Sequence, residues 1–274
     1  MALGTELPQE LIEAILEHLR VRWSRNKRIG LNSLQNCSLV ARAWTKRCQQ
    51  LLYEDMIVTL DPKRPVARRV YPALARYVRR LTIRMQGDDA DWSDKLGYKL
   101  TQLFQICTDM EELTIDSELS GQTVTAMVRC IPAQNRVTLR TVVFRCSKFS
   151  TSRDLYAMMA HAHSPHIVLK SVAVLRDTGE PLRANKTFHV RTLWLHLPKF
   201  GGHGAEIGNA LGRGATHLAS LRATISNEDG ARALAAILKV RGIQLTNLHV
   251  DTALWADGNE YGTPLSSCVQ VDIV

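Results

Sequence analysis

The chain has 274 residues, 45% of them hydrophobic and 22% charged, a balance that argues against wholesale disorder. The length suits one large domain or a small domain plus a larger one, and no run of about 18 apolar residues is present to span a membrane. The net charge of +9 admits nucleic acid, anionic lipid or an acidic protein as partner, but no aromatic interleaving of the base-stacking kind accompanies the basic residues, which argues against nucleic acid.

The opening stretch, MALGTELPQELIEAIL, carries acids where a secretory signal carries bases, so a soluble intracellular protein, cytoplasmic or nuclear, is expected. Six scattered cysteines without a C-x-x-C pair read as reduced, mostly buried thiols. Leu7, Leu11, Ile12, Ile15, Leu16 and Leu19 recur at steps of one, three and four, which predicts a helix with a broad apolar face. Pro8 suits its first turn and Glu10 the positive end of its dipole. Leu7 is a poor cap, so an apolar contact must favour it.

The basic stretch from Arg20 to Arg28, closed by Gly30, predicts a loop, after which Asn32 or Ser33 caps a second helical segment. In that segment Leu34, Cys37, Ala41, Trp44, Cys48 and Leu51 are spaced 3, 4, 3, 4 and 3 apart, while Leu39, Val40 and Ala43 lie off the stripe. A unit of this size buries little surface alone, and it is apolar on two sides. Periodicity leaves open whether the second side packs on the rest of the chain or on a partner.

The phrases LPQELIEAILEHL, SLQNCSLVARAW and RCQQLLYEDMIVTL resemble an F-box, especially those of fungal F-box proteins, over residues 5–60. The Leu-Pro-x-Glu start, the C-S-L-V core and the tryptophan four residues beyond it carry the resemblance. Two departures are Ala41, where such proteins often have cysteine, and the long basic insert from Arg20 to Leu31. The resemblance implies docking onto the Skp-type adaptor, and through it the cullin, of a ubiquitin ligase. Carried over by position, Leu7, Pro8, Leu11 and Ile15 provide the first helical contact, and Leu34, Leu39, Val40 and Trp44 complete the apolar surface.

Beyond residue 60 a basic run comes first: Lys63, Arg64, Arg68, Arg69, Arg76, Arg79, Arg80 and Arg84 stand against the single acid Asp61. A phrase of the form apolar-x-x-apolar-x-apolar then recurs, centred on Leu81, Leu113, Val142, Val172, Leu193, Leu221 and Leu248 at steps of 32, 29, 30, 21, 28 and 27. Helical stripes separate several of these phrases, as in Leu96, Leu100, Leu103, Phe104 and Cys107. Short strands at a near-regular period predict degenerate leucine-rich repeats, which lack the usual regular asparagine. The expected fold class is therefore α/β: a small all-α module over 1–60, then a solenoid with a curved parallel sheet over 61–274. A doubly wound α/β domain shares the strand–helix alternation and is the alternative.

Two local patterns could carry chemistry. GGHGAEIG places Gly202, Gly204 and Gly208 between a strand and a helix, as a phosphate-binding loop would, yet late in the chain and behind Pro198. HAHSPH offers His161, His163 and His166, without a helical i, i+4 pair or a fourth ligand. Neither pattern reaches a defined site, so no catalytic residue, cofactor or metal is expected. The expected function is recruitment of a protein substrate to a ligase, with an interaction scaffold outside any ligase, or a dinucleotide-binding enzyme, as alternatives.

Overall fold

A computed structural model describes residues 8–25, 27–40, 42–61, 72–85, 94–116, 118–175, 187–254 and 265–272. Its fold is mixed α/β. Three helices, α1 (Gln9–Arg25), α2 (Lys27–Val40) and α3 (Arg42–Glu54), lead into β1 (Asp55–Leu60). There follow α4 (Pro72–Ala75), β2 (Arg80–Met85), α5 (Asp94–Ile106), β3 (Glu112–Asp116), α6 (Gly121–Arg129), α7 (Ala133–Thr138) and β4 (Thr141–Arg145). Next come β5 (Lys148–Phe149), α8 (Ser152–Ala162), β6 (His166–Lys170), β7 (Ala173–Val174) and β8 (Thr192–His196). The last elements are α9 (Gly204–Gly214), β9 (Ser220–Ile225), α10 (Glu228–Arg241), β10 (Asn247–Leu254) and β11 (Leu265–Asp272).

The main sheet runs β1-β2-β3-β4-β6-β8-β9-β10-β11, with eight parallel strands and β11 antiparallel at the end. Spatial order follows chain order throughout. A doubly wound sheet reverses direction at a switch point, and this one does not. The C-terminal VQVDIV phrase contributes to β11, whose pairing with β10 covers that strand's free edge.

Two rows of side chains knit the strands together. In register, Met56, Leu81, Leu113, Val142, Ile167, Leu193, Leu221 and Leu248 form one row. Val58, Ile83, Ile115, Phe144, Leu169, Leu195, Ala223 and Val250 form the other. Both rows pack with the apolar sides of the helices into one core that includes Phe104, Met127, Met158, Ile207 and Ile237. Strand alternation sends the intervening residues to the opposite face, which is why Val143, buried as it is, does not belong to that core.

The fourth phrase is not where the spacing put it. Its strand is β6, so the members are Ser164, Ile167 and Leu169 instead of Leu169, Val172 and Val174. Moving the centre from Val172 to Ile167 turns the steps of 30 and 21 into 25 and 26. A serine in an apolar slot hid the phrase, and hydrogen bonding explains it. In five other places a carbonyl before one strand accepts two successive backbone N–H groups from the next repeat; Arg79 O, for example, takes those of Glu111 and Glu112. Arg140 O should take those of Pro165 and His166, but proline has none. Ser164 Oγ donates to Arg140 O at 2.8 Å in its place.

Two expectations for the N-terminal part are also corrected. The basic stretch from Arg20 is not a loop: α1 continues to Arg25 and α2 begins at Lys27. Arginine and lysine are good helix formers, and one glycine, Gly30, costs only about 1 kcal/mol. The stripe from Leu34 to Leu51 is shared between α2 and α3. On one straight helix those two leucines would stand roughly 25 Å apart. Divided between two helices, both enter the same small core, made of Ile12, Leu16, Leu34, Cys48 and Leu51. The helical unit ends at Glu54, because β1 already pairs with β2.

Candidate functional site

The residues expected to meet an adaptor divide into three groups. Pro8, Leu11 and Ile15 share one side of α1 by their spacing, and Leu11 and Ile15 are 51% and 41% exposed. Leu39, near the end of α2, is 84% exposed. Trp44 is half-buried against the small helical core, and Leu34 is fully buried inside it. Leu34 therefore supports the surface from beneath and cannot form part of it. Leu7 and the Val40 side chain lie outside the described residues.

The unit holds its shape by its own contacts. Arg47 on α3 donates to Glu13 at 2.8 Å and to Glu17 at 3.1 Å, both on α1. Thr45 Oγ1 donates to the Ser38 carbonyl at 2.9 Å, tying α3 to the end of α2. Its core is separate from that of the sheet, so the exposed leucines and isoleucine are not needed to join the two.

A second surface lies on the sheet face that points away from the large core. The residue following each member of the second core row lies there, giving Thr59, Arg84, Asp116, Arg145, Lys170, His196, Thr224 and Asp251 in strand order. The acids at the two ends are engaged: Asp116 pairs with Arg84 at 3.1 Å, and Asp251 with Arg222 at 3.3 Å and His249 at 3.0 Å. Arg145 and Lys170, between them, have no carboxylate partner among the described residues. Beside them Trp194 carries the Arg222 guanidinium over its ring, 4.5 Å from the centroid, and meets His196 edge-on at 5.5 Å.

Three nitrogens in this patch, Arg145 Nε, Trp194 Nε1 and His196 Nδ1, are shut off from solvent and have no hydrogen-bond partner among the described residues. A buried donor left unpaired costs about 1–3 kcal/mol. Burial, then the charges of Lys170 and Arg222, push the His196 imidazole below its ordinary value near 6.5, against a smaller pull from Asp251. The patch is thus held in an unsatisfied, electropositive state.

Sequence reading missed this row, although a signal existed. Reading the residue after each phrase gives R, D, R, K, H, T, D in true register, whereas the misplaced fourth phrase puts Leu175 where Lys170 belongs. Three arginines of the conspicuous basic run behave in the opposite way, while Arg76 lies over the Tyr77 ring, 4.9 Å from its centroid. Arg79 pairs with Glu111 at 3.6 Å, Arg80 with Asp55 and with Glu54 at 3.3 Å, and Arg84 with Asp116. Lys63, Arg64, Arg68 and Arg69 lie outside the described residues.

The glycine loop has a packing role. The Asp229 carboxylate accepts the Gly204 N–H at 2.7 Å and the Gly202 N–H at 3.2 Å, where a bound phosphate would sit. A Cβ on Gly204 or Gly208 would come within 2.0 Å of Asp229 O or 2.3 Å of Ala233 O, so these glycines let α9 lie directly on α10. The three histidines occupy separate places: His161 ends α8, His163 is its left-handed cap with φ 45°, and His166 opens β6. His163 instead shares a repeat position with His189 and His217, which stack at 5.0 Å, and all three line a cleft of about 630 Å³. Among the described residues no three or more His, Cys, Asp or Glu side chains are grouped to hold a metal. Cys48 and Cys107 are buried free thiols, pushed up to about 11 and about 12 chiefly by burial. No helix of the described residues is long and apolar enough to cross a membrane.

Compared with known proteins, the chain matches no protein-family model and no curated protein.

Proposed function

We propose that the chain is a substrate-recruiting subunit of a Skp–cullin–F-box ubiquitin ligase, with α1–α3 as the F-box and the strand–helix units as degenerate leucine-rich repeats. One observation carries the reading. Pro8, Leu11, Ile15 and Leu39 stay exposed on a helical unit that has its own core and its own ionic ties. Apolar side chains left outside a self-sufficient unit are suited to cover by a second protein, and a few such anchors provide most of the affinity in helix-face recognition. The repeat reading is supported by the monotonic strand order and by steps of 25 to 32 residues between the centres of successive phrases from Leu81 on.

In this role the protein performs no bond chemistry of its own. It raises the effective concentration of substrate lysines near a charged ubiquitin carrier. The test is capture of a purified Skp-type adaptor by the full chain, beside a Leu11→Asp, Ile15→Asp variant and a Leu39→Asp variant. The intact chain should retain the adaptor, and both variants should lose tenfold or more in affinity. No retention by the intact chain overturns the reading; equal retention by all three overturns the assigned contacts. With cullin added to the same capture, adaptor retained without cullin would favour an interaction scaffold outside the ligase.

A further inference from the structure

We propose that the outward face of β4, β6 and β8, centred on Arg145, Lys170 and His196, binds a short acidic segment of a partner protein, with one or two carboxylates seated between Asp116 and Asp251. The inference starts from charge. Along the row, Arg84 and Asp116 cancel, Arg222 and Asp251 cancel, and Arg145 and Lys170 remain unmatched by any described carboxylate. His196 lies next to Lys170 in register, so the two unmatched cations and this imidazole stand side by side on three adjacent strands. A negatively charged, acceptor-rich group supplies the counter-charge that Arg145 and Lys170 lack.

The dimensions set the size of the ligand. Adjacent strands lie about 4.8 Å apart, so the unmatched window from β4 to β8 is about 10 Å wide, room for one or two carboxylates. A nucleic-acid strand needs a longer cationic track and free aromatic faces. Here acids bound the window on both sides, and Arg222 already covers one face of Trp194. Beyond the window the charges are already paired, so a longer acidic segment gains no further cation there.

This inference gives a chemical class to the substrate in the adaptor reading and rests on it for its biological sense, but its test needs no adaptor. The full chain is titrated into a fluorescein-labelled peptide of alternating glutamate and glycine, into its glutamine counterpart, and into a single-stranded oligonucleotide of similar length. The Arg145→Glu, Lys170→Glu variant is compared with Arg129→Glu, Arg153→Glu, which makes the same charge change at exposed sites on α6 and α8. Thermal melts check folding, and Arg145→Gln, Lys170→Gln substitutes should the reversal fail to fold.

The glutamate peptide should bind at least tenfold more tightly than the glutamine one. The strand variant should lose at least tenfold, and the helix variant should stay within about threefold. Equal binding of the two peptides, equal loss in both charge variants, or tighter binding of the oligonucleotide at the same residues each overturns the proposal. Loss of peptide binding with adaptor capture intact condemns this site alone; the reverse result condemns the adaptor reading alone.

Discussion

The N-terminal helices and the sheet bury their apolar residues in opposite styles. The helical unit gathers five fully or nearly buried side chains around Leu16 and Leu34 and leaves Leu11, Ile15 and Leu39 outside. The sheet draws two residues from nearly every strand into continuous rows, and its outward face is mostly polar or charged. In the sheet each repeat completes the core of its neighbours, so surplus apolar surface has somewhere to go. Among the described residues the core of the helical unit draws no member from the sheet. The helices' exposed residues are therefore open to a role in recognition, while specificity on the sheet must come from charge.

The largest effect that sharpens this contrast is expected from Phe144→Ala. This side chain is fully buried in the second core row, and its loss should cost about 3–5 kcal/mol in urea titration. Hydrogen exchange should rise in β3, β4 and β6 together, because the row is continuous. Leu16→Ala should also destabilise, but with faster exchange confined to α1, α2 and α3. Loss of protection spreading equally through both regions in either variant would erase the distinction between two cores.

A smaller change is expected from Ser164→Ala. Arg140 O would keep the His166 N–H but lose the hydroxyl that stands in for the missing proline donor, costing about 1 kcal/mol. Ser164→Ala combined with Pro165→Ala restores a backbone N–H and should recover part of that loss. The smallest effect concerns pH. Since the folded protein holds His196 below 6.5, it binds fewer protons than the unfolded chain beneath that value. The stabilising contribution is complete above about pH 6.5 and fades as the pH falls from there toward the lowered folded value. The melting temperature should therefore drop between pH 7 and pH 5, and His196→Gln should flatten that part of the profile.

Much of the scaffold was legible in residue spacing. Six of the seven phrases name the right strand, because alternate apolar residues on a strand must share a face. Ser164 broke the seventh through a backbone need that no hydropathy pattern expresses. The helix continuing through the basic insert was hidden for a related reason: charge was taken for solvent exposure and loop, although those residues favour helix. Of the eight adaptor-facing candidates, Leu34 shows the limit of periodicity, which identifies an apolar side but does not say what covers it.

By itself, then, the order of residues determined that short strands alternate with helices, and which side of each is apolar, since both properties follow from local geometry and water. Tertiary structure alone decided which charges meet. Arg79, Arg80 and Arg84 cluster in the chain yet are paired by acids from neighbouring strands and turns. Arg145, Lys170 and His196 lie 25 and 26 residues apart, but strand register brings them side by side, and Arg145 and Lys170 have no carboxylate partner among the described residues. Coulomb interaction depends on distance in space, and only the stacking of the strands sets that distance.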